Sequence, residues 1–301
     1  MRFLAVLPLL CCTAALILSF LCLFAGHKKG FMEDYSLLTL NTSAIGQNVV
    51  NNAANSDSTV SSIINLLPDS ITNTVTNEIN ERIDEFRERI GVEDWYSAHI
   101  LNYCEGQYTP SEVANATLKE SDISKNVTEC AKSRAMYKFD PTEIIQSALN
   151  RTGVDITLED LQWPDDIQSG IDALNAVMAA MFVLYVIAIC LIFVTLVTSA
   201  VGILTSGRLS ACLNIGLALL AFLAIGLASA LVTAVMIKGT DVINKHGDSI
   251  GLEADYGSKF LALTWAATGL MLVALIVWFV ALCFGRRSER RTSRHPRKSV
   301  I

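Results

Sequence analysis

Four long apolar runs punctuate the chain: Phe3 to Ala25, Ala176 to Leu204, Ala211 to Ile237 and Phe260 to Phe284. Each is about long enough to cross the roughly 30 Å of bilayer hydrocarbon as an α-helix, and none contains Asp, Glu, Lys, Arg or His. Thr205 to Ser210 alone joins the second run to the third, so those two form an antiparallel hairpin with Arg208 at its tip. The pattern predicts an all-α membrane protein, a four-helix transmembrane bundle with a large loop between helices 1 and 2. Its segments are helix 1 over 1–26, a loop domain over 27–173, helices over 174–206 and 210–237, a short loop over 238–258, a helix over 259–284 and a tail over 285–301. A removable signal peptide is the alternative for the first run. Its core exceeds a typical signal core, however, and Phe24-Ala25-Gly26 sets a bulky side chain where cleavage wants a small one.

The long polar stretch has two textures. Asn41 to Ser62 is rich in Asn, Ser and Thr and has no apolar period, which predicts little structure of its own. After Pro68, Ile71, Val75, Ile79, Ile83, Phe86 and Ile90 recur at helical spacing, with Asp69 or Ser70 to cap the start and Gly91 to end it. That helix presents either a partner-binding face or a face packed on its own domain. Pro141 suits the first turn of a short helix through Leu149, and Trp163-Pro164 marks the descent to the bilayer.

Composition agrees with a membrane protein: 52% of residues are hydrophobic and mean hydropathy is positive. The net charge of −6 hides an asymmetry, because residues 27–173 carry 24 acidic and 11 basic side chains whereas 285–301 carry seven basic and one acidic. A bilayer dividing the chain between compartments imposes such a separation. Four acceptor sequons, at Asn41, Asn115, Asn126 and Asn150, all fall in the long loop, which marks it as extracellular and glycosylated. Both termini are then cytoplasmic. His27, Lys28 and Lys29, at the outer end of helix 1, run against the positive-inside rule.

Cys104 and Cys130 are the two cysteines outside the apolar runs; the other six, including Cys283, lie within them. In an oxidising compartment the pair closes a loop of about 26 residues, a bridge worth roughly 3 kcal/mol; in a cytosolic loop the two remain free thiols. Trp95, Tyr96, Tyr103, Tyr108, Tyr137 and Phe139 gather around them, either as a small core or as a platform for stacking on sugars.

The tail cations Arg286, Arg287, Arg290, Arg291, Arg294, Arg297 and Lys298 abut the membrane. They act as a topogenic anchor or grip anionic inner-leaflet lipids, and phosphorylation at Ser288, Thr292, Ser293 or Ser299 would weaken that grip. Cys283 is a weak acylation candidate. A nucleic-acid partner is a poor explanation for residues held against lipid. Gly226, Ala230 and Ala234 give helix 3 a small-residue face for packing in the bundle or for a homo-oligomer, and Asn214 is placed to bond a neighbouring helix. Gly247-Asp248-Ser249-Ile250-Gly251 matches a hydrolase nucleophile elbow in letters, but it sits in a loop of about twenty residues between membrane helices rather than at a strand-to-helix turn. His27, His99, His246 and His295 are too dispersed for a metal site, and no Gly-rich phosphate loop occurs. The sequence therefore predicts no enzyme, no metal and no cofactor.

The layout of one helix, a large domain with an aromatic-flanked cysteine pair and three further helices resembles the claudin-type tetraspan arrangement. Within that group, Gly91-Val92-Glu93-Asp94-Trp95-Tyr96-Ser97-Ala98-His99, then Tyr103-Cys104-Glu105-Gly106, Cys130 and Phe139-Asp140-Pro141 are similar to the fungal PalI and Sur-seven family, and Trp163-Pro164-Asp165 fits it as well. The resemblance implies a plasma-membrane protein of eisosome-associated cortical domains, with cortical or cell-wall protein partners and roles in endocytosis and cell-wall integrity. Its PalI branch implies instead an accessory part in ambient-pH signalling.

Overall fold

The computed structural model describes residues 2–45, 91–109, 123–152, 158, 166–204, 208–247 and 251–292. Four helices among them are long and apolar enough to cross a membrane: α1 (Arg2–Phe24), α3 (Asp166–Leu204), α4 (Arg208–Gly247) and α5 (Ser258–Thr292). A shorter helix, α2 (Pro141–Thr152), opens where the proline was expected to open it. Asp140 caps it, its carboxylate accepting from the Glu143 amide at 3.1 Å. The helix expected over 71–90 lies outside the described residues.

The all-α expectation needs correction. Strands β1 (Leu38–Asn41), β2 (Trp95–Ala98), β3 (Tyr103–Thr109), β4 (Ser124–Cys130) and β5 (Glu253–Tyr256) form one antiparallel sheet in the order β4-β3-β2-β1-β5. Four of these strands come from the long polar stretch, and the fifth comes from the segment between α4 and α5 that was read as a plain loop. β1, β2 and β5 have four residues each and carry too little alternation to announce themselves, β3 and β4 are seven residues long but mostly polar, and β1 pairs with partners distant in sequence.

The chain divides into two units. The first comprises Met1–Leu23, Ala180–Val232 and Phe260–Ile301. Many of its buried positions are small: Ala15, Ala188, Ala218, Ala221, Ala228, Ala267 and Ala274 are each fully enclosed beside a few larger groups such as Met181, Tyr185, Ile192 and Ile225, whereas Leu10, Phe193, Leu213, Leu223, Leu227 and Phe279 are more than half exposed. Large apolar groups on the outside and alanines at many inner positions suit a solvent of lipid tails, where close backbone approach adds to the packing that holds helices together.

Hydroxyls and one amide supply the remaining glue. Tyr185 of α3 shares a hydrogen bond with Thr264 of α5, and Ser229 of α4 lies 2.7 Å from the Thr264 hydroxyl and 2.9 Å from that of Thr268. All four residues are buried. Near the other end of the hairpin, Thr198 donates to the Asn214 carbonyl oxygen at 2.8 Å, and the Asn214 amide donates to the Ser210 carbonyl at 2.9 Å. Asn214 thus makes the interhelical bond its position suggested. Gly226 faces Thr268, but Ala230 and Ala234 are exposed, so the three do not share a packed face as expected. The in-bundle stripe runs instead through Ala221, Ala228 and Val232, because helical phase turns Ala230 and Ala234 outward.

The second unit comprises Phe24–Ala179 and Thr233–Lys259 and contains the sheet. Two helices extend beyond their apolar runs within it. The first ten residues of α3 precede Ala176, and Asn175 accepts from the Phe139 amide at 2.8 Å. The last ten of α4 follow Ile237, and the Asn244 side chain grips β5 by accepting from the Ala254 amide and donating to its carbonyl, at 2.6 and 3.0 Å. That bidentate contact satisfies both backbone groups of a residue on an edge strand.

Candidate functional site

Strand alternation assigns the sheet two faces. On one, Trp95 pairs across from Gly106 and Ser97 across from Cys104, which in turn lies opposite Cys130. Cys104 and Cys130 are joined by a disulfide. Cys104 forms a buried cluster with Trp95 and Val127, against which the half-buried Cys130 and Tyr108 pack. Gly106 is required there: a side-chain carbon at that position would lie 2.0 Å from the Asn126 carbonyl oxygen and 2.6 Å from the Trp95 ring. Lys125 sets its ammonium 5.8 Å from the ring centroids of both Trp95 and Tyr108, a cation–π arrangement.

The opposite face carries Tyr96, which is buried, with its hydroxyl accepting from the Glu93 amide at 3.1 Å. Tyr96, Tyr103 and Tyr137 follow one another at centroid distances of 6.3 and 6.2 Å. Trp95, Tyr96 and Phe139 are no more than 3% exposed. They belong to the buried core, Trp95 on one face of the sheet and Tyr96 on the other, which rules out a sugar-stacking platform built on these three rings. Glu105, 6% exposed, lies across from Glu129 and has Arg151 at 4.0 Å. Burial pushes its carboxyl above the ordinary range, and the Arg151 guanidinium opposes that shift.

A clamp at the turn between β2 and β3 was not legible in the sequence. Asn102, wholly buried, donates through its amide to the Gly26 carbonyl at 2.8 Å and to the Ala131 carbonyl at 2.9 Å. Gly26 adopts a left-handed backbone with φ +69, and a side-chain carbon there would sit 2.5 Å from the His99 ring. His99 is 1% exposed, lies 3.3 Å from the Ser97 hydroxyl through Nε2, and has its pKa lowered to about 4 by burial. The one available signal was a His and an Asn bracketing an apolar pair between two strands, and nothing local distinguishes that from a solvated turn.

A cleft of about 280 Å³ opens on the disulfide face, lined by Thr39, Ser97, Trp95 and Lys125 together with Asp34, Asp255 and Lys259. Lys259 is committed to Asp34 at 2.8 Å. No group of His, Cys, Asp and Glu among the described residues is arranged to hold a metal ion.

Other expected site residues fall as follows. Gly91 takes a left-handed backbone, φ +65, at the entry to β2. Asn126 and Asn150 are exposed; Asn41 is half-buried, with its side-chain oxygen accepting from the Ser43 amide and hydroxyl at 3.1 and 2.7 Å, and Thr42 is enclosed. Asn115 lies outside the described residues, as do Arg294, Arg297 and Lys298; Arg286, Arg287, Arg290 and Arg291 belong to the last turns of α5. Gly247 ends α4 and Gly251 precedes β5, a helix-to-strand order that reverses the nucleophile elbow. Ser249 is not described.

Four apolar helices and a sheet domain pinned by one disulfide define a multi-pass membrane protein. The SUR7/PalI family model matches residues 4–277, and the chain belongs to that family. It is similar to the SUR7 family protein pun1 of Schizosaccharomyces pombe, 24% identical over 282 residues that cover 90% of each chain. No solved structure matches.

Proposed function

We propose that this protein is a non-enzymatic organiser of a plasma-membrane patch. Its bundle sits in lipid, its disulfide-pinned sheet domain faces the exterior with glycans on exposed sequons, and its basic tail holds inner-leaflet lipids. The observation that carries the reading is family membership along nearly the whole chain, joined to a bundle whose buried polar side chains among the described residues are uncharged, unlike those that drive transport cycles. Cortical-domain residence, with links to endocytosis and the cell wall, follows from the family resemblance. A fluorescently tagged copy imaged in its native cell should mark immobile cortical patches; a uniform, freely diffusing surface signal would refute the organiser role.

The family also spans the PalI branch, which makes an accessory part in ambient-pH signalling the second reading. Deletion separates the two. Wall and endocytic defects with normal growth at alkaline pH support the organiser, and loss of alkaline growth alone supports the signalling accessory.

A further inference from the structure

Two cationic tracts, far apart in sequence, meet where the first helix ends. His27, Lys28 and Lys29 follow Phe24, the last residue of α1, and Lys132 and Arg134 follow the disulfide cysteine Cys130. Hydrogen bonds hold the tracts side by side. The Asn102 amide bridges the Gly26 and Ala131 carbonyls, and the Ser133 hydroxyl donates to the His27 carbonyl at 3.2 Å. The Arg134 amide donates to the Leu101 carbonyl at 2.8 Å. Lys28, Lys29, Lys132 and Arg134 are all exposed, and none forms an ion pair among the described residues. Nearby carboxylates are engaged elsewhere: Glu33 bonds the Gly30 amide, and Asp34 pairs with Lys259.

The depth of this patch is set by the chain itself. The apolar run of α1 stops at Ala25, and the headgroup layer extends roughly 5–8 Å beyond the hydrocarbon. Lys28 and Lys29 follow that run by three and four residues, a chain length comparable to the headgroup layer's depth, and Lys132 and Arg134 are tied beside them. Met136 follows on the same loop, 51% exposed with a left-handed backbone, and Arg134 and Lys138 flank it. A cation–apolar–cation alternation suits a headgroup boundary.

We propose that residues 27–29 and 131–138 form a cationic collar that binds the phosphates of anionic lipids in the leaflet on the sheet domain's side. The collar gives the cations that contravene the positive-inside rule a ligand of their own, and it is distinct from the tail, which serves the opposite leaflet. It rests on the chain spanning a bilayer and not on patch formation, so its failure would leave the imaging test above untouched.

The test uses the full chain, purified in neutral detergent, with the seven tail cations replaced by Gln so that only the collar contributes. Phosphatidylglycerol and phosphatidylcholine are titrated separately, and bound lipid is counted by native mass spectrometry. Phosphatidylglycerol should bind at least about tenfold more tightly, each cation contributing up to about fivefold. The variant Lys28→Gln/Lys29→Gln/Lys132→Gln/Arg134→Gln should lose that preference, while Lys125→Gln should keep it. Retention of the preference in the quadruple variant, or equal loss in Lys125→Gln, overturns the collar. Displacement of the lipid by about 10 mM inorganic phosphate, an ionic strength low enough to leave charge contacts largely unscreened, overturns it in favour of a free-anion site. Preferential capture of polyglutamate points to an acidic protein partner and likewise overturns it. Intact Cys104–Cys130 pairing by non-reducing peptide mapping verifies the fold, and if the quadruple variant fails that check, Lys28→Gln/Lys29→Gln, which alters no sheet residue, carries the same comparison with a severalfold loss expected.

Discussion

His99 should make the sheet domain acid-sensitive. Its pKa is lowered from 6.5 to about 4 because the ring is buried, with Gly26 against one side and the Ser97 hydroxyl at 3.3 Å. The unfolded chain then binds a proton on this ring between about pH 6.5 and pH 4 that the folded chain does not, so stability is full above that window and falls as the pH drops through it. Integrating the two titrations gives a loss of about 2 kcal/mol between pH 7 and pH 5, and about 3 kcal/mol by pH 4. Glu105 and Glu93 act in the opposite sense, because burial raises both carboxyls and the folded chain takes up their protons first. Comparison with His99→Gln cancels their contribution. Hydrogen exchange of β2 and β3, corrected for intrinsic rates, reads the difference directly: protection should fall about thirtyfold more in the native chain than in the variant between pH 7 and pH 5. His99→Phe, which keeps a ring against Gly26, should behave as the Gln variant does. Equal acid sensitivity in all three proteins would refute the argument.

Replacing Cys104 and Cys130 by Ser should cost the sheet domain about 3 kcal/mol, as expected for a loop of this length, read as faster exchange in β3 and β4 with the bundle helices unchanged. Gly106→Ala forces a carbon against the Asn126 carbonyl and the Trp95 ring; a loss of at least about 2 kcal/mol should appear as retention inside the cell and a lower thermal midpoint in detergent. Thr264→Val removes the hydroxyl shared by Tyr185 and Ser229 and should lower bundle stability by about 1–2 kcal/mol, measured by thermal unfolding in detergent; an unchanged midpoint would mean the cluster contributes nothing. If the sheet domain faces the exterior, Asn126→Gln and Asn150→Gln should each abolish one endoglycosidase-sensitive mass step.

Much of the membrane half was legible because lipid makes a demand that acts residue by residue. A crossing segment must be apolar along its whole length, so Phe3–Ala25 and the three later runs declare themselves without reference to one another. The cysteine pair was legible for a similar reason, since Cys104 and Cys130 are the two that hydrocarbon does not enclose. The proline opening α2 is an equally local signal.

What the order of residues determined by itself was thus features with a local cause: four spans, one candidate cysteine pair, the proline-led start of α2 and the sign of charge on each segment. Tertiary structure decided what depends on distant partners. Leu38–Asn41 is a strand because Trp95–Ala98 and Glu253–Tyr256 flank it, and four residues cannot express that preference alone. Asn102 is a clamp because folding brings Gly26 and Ala131 to its two sides, and Ala230 faces outward because neighbouring helices fix the rotation of α4. Pairing and helix phase are properties of contacts, and contacts exist only once the chain has folded.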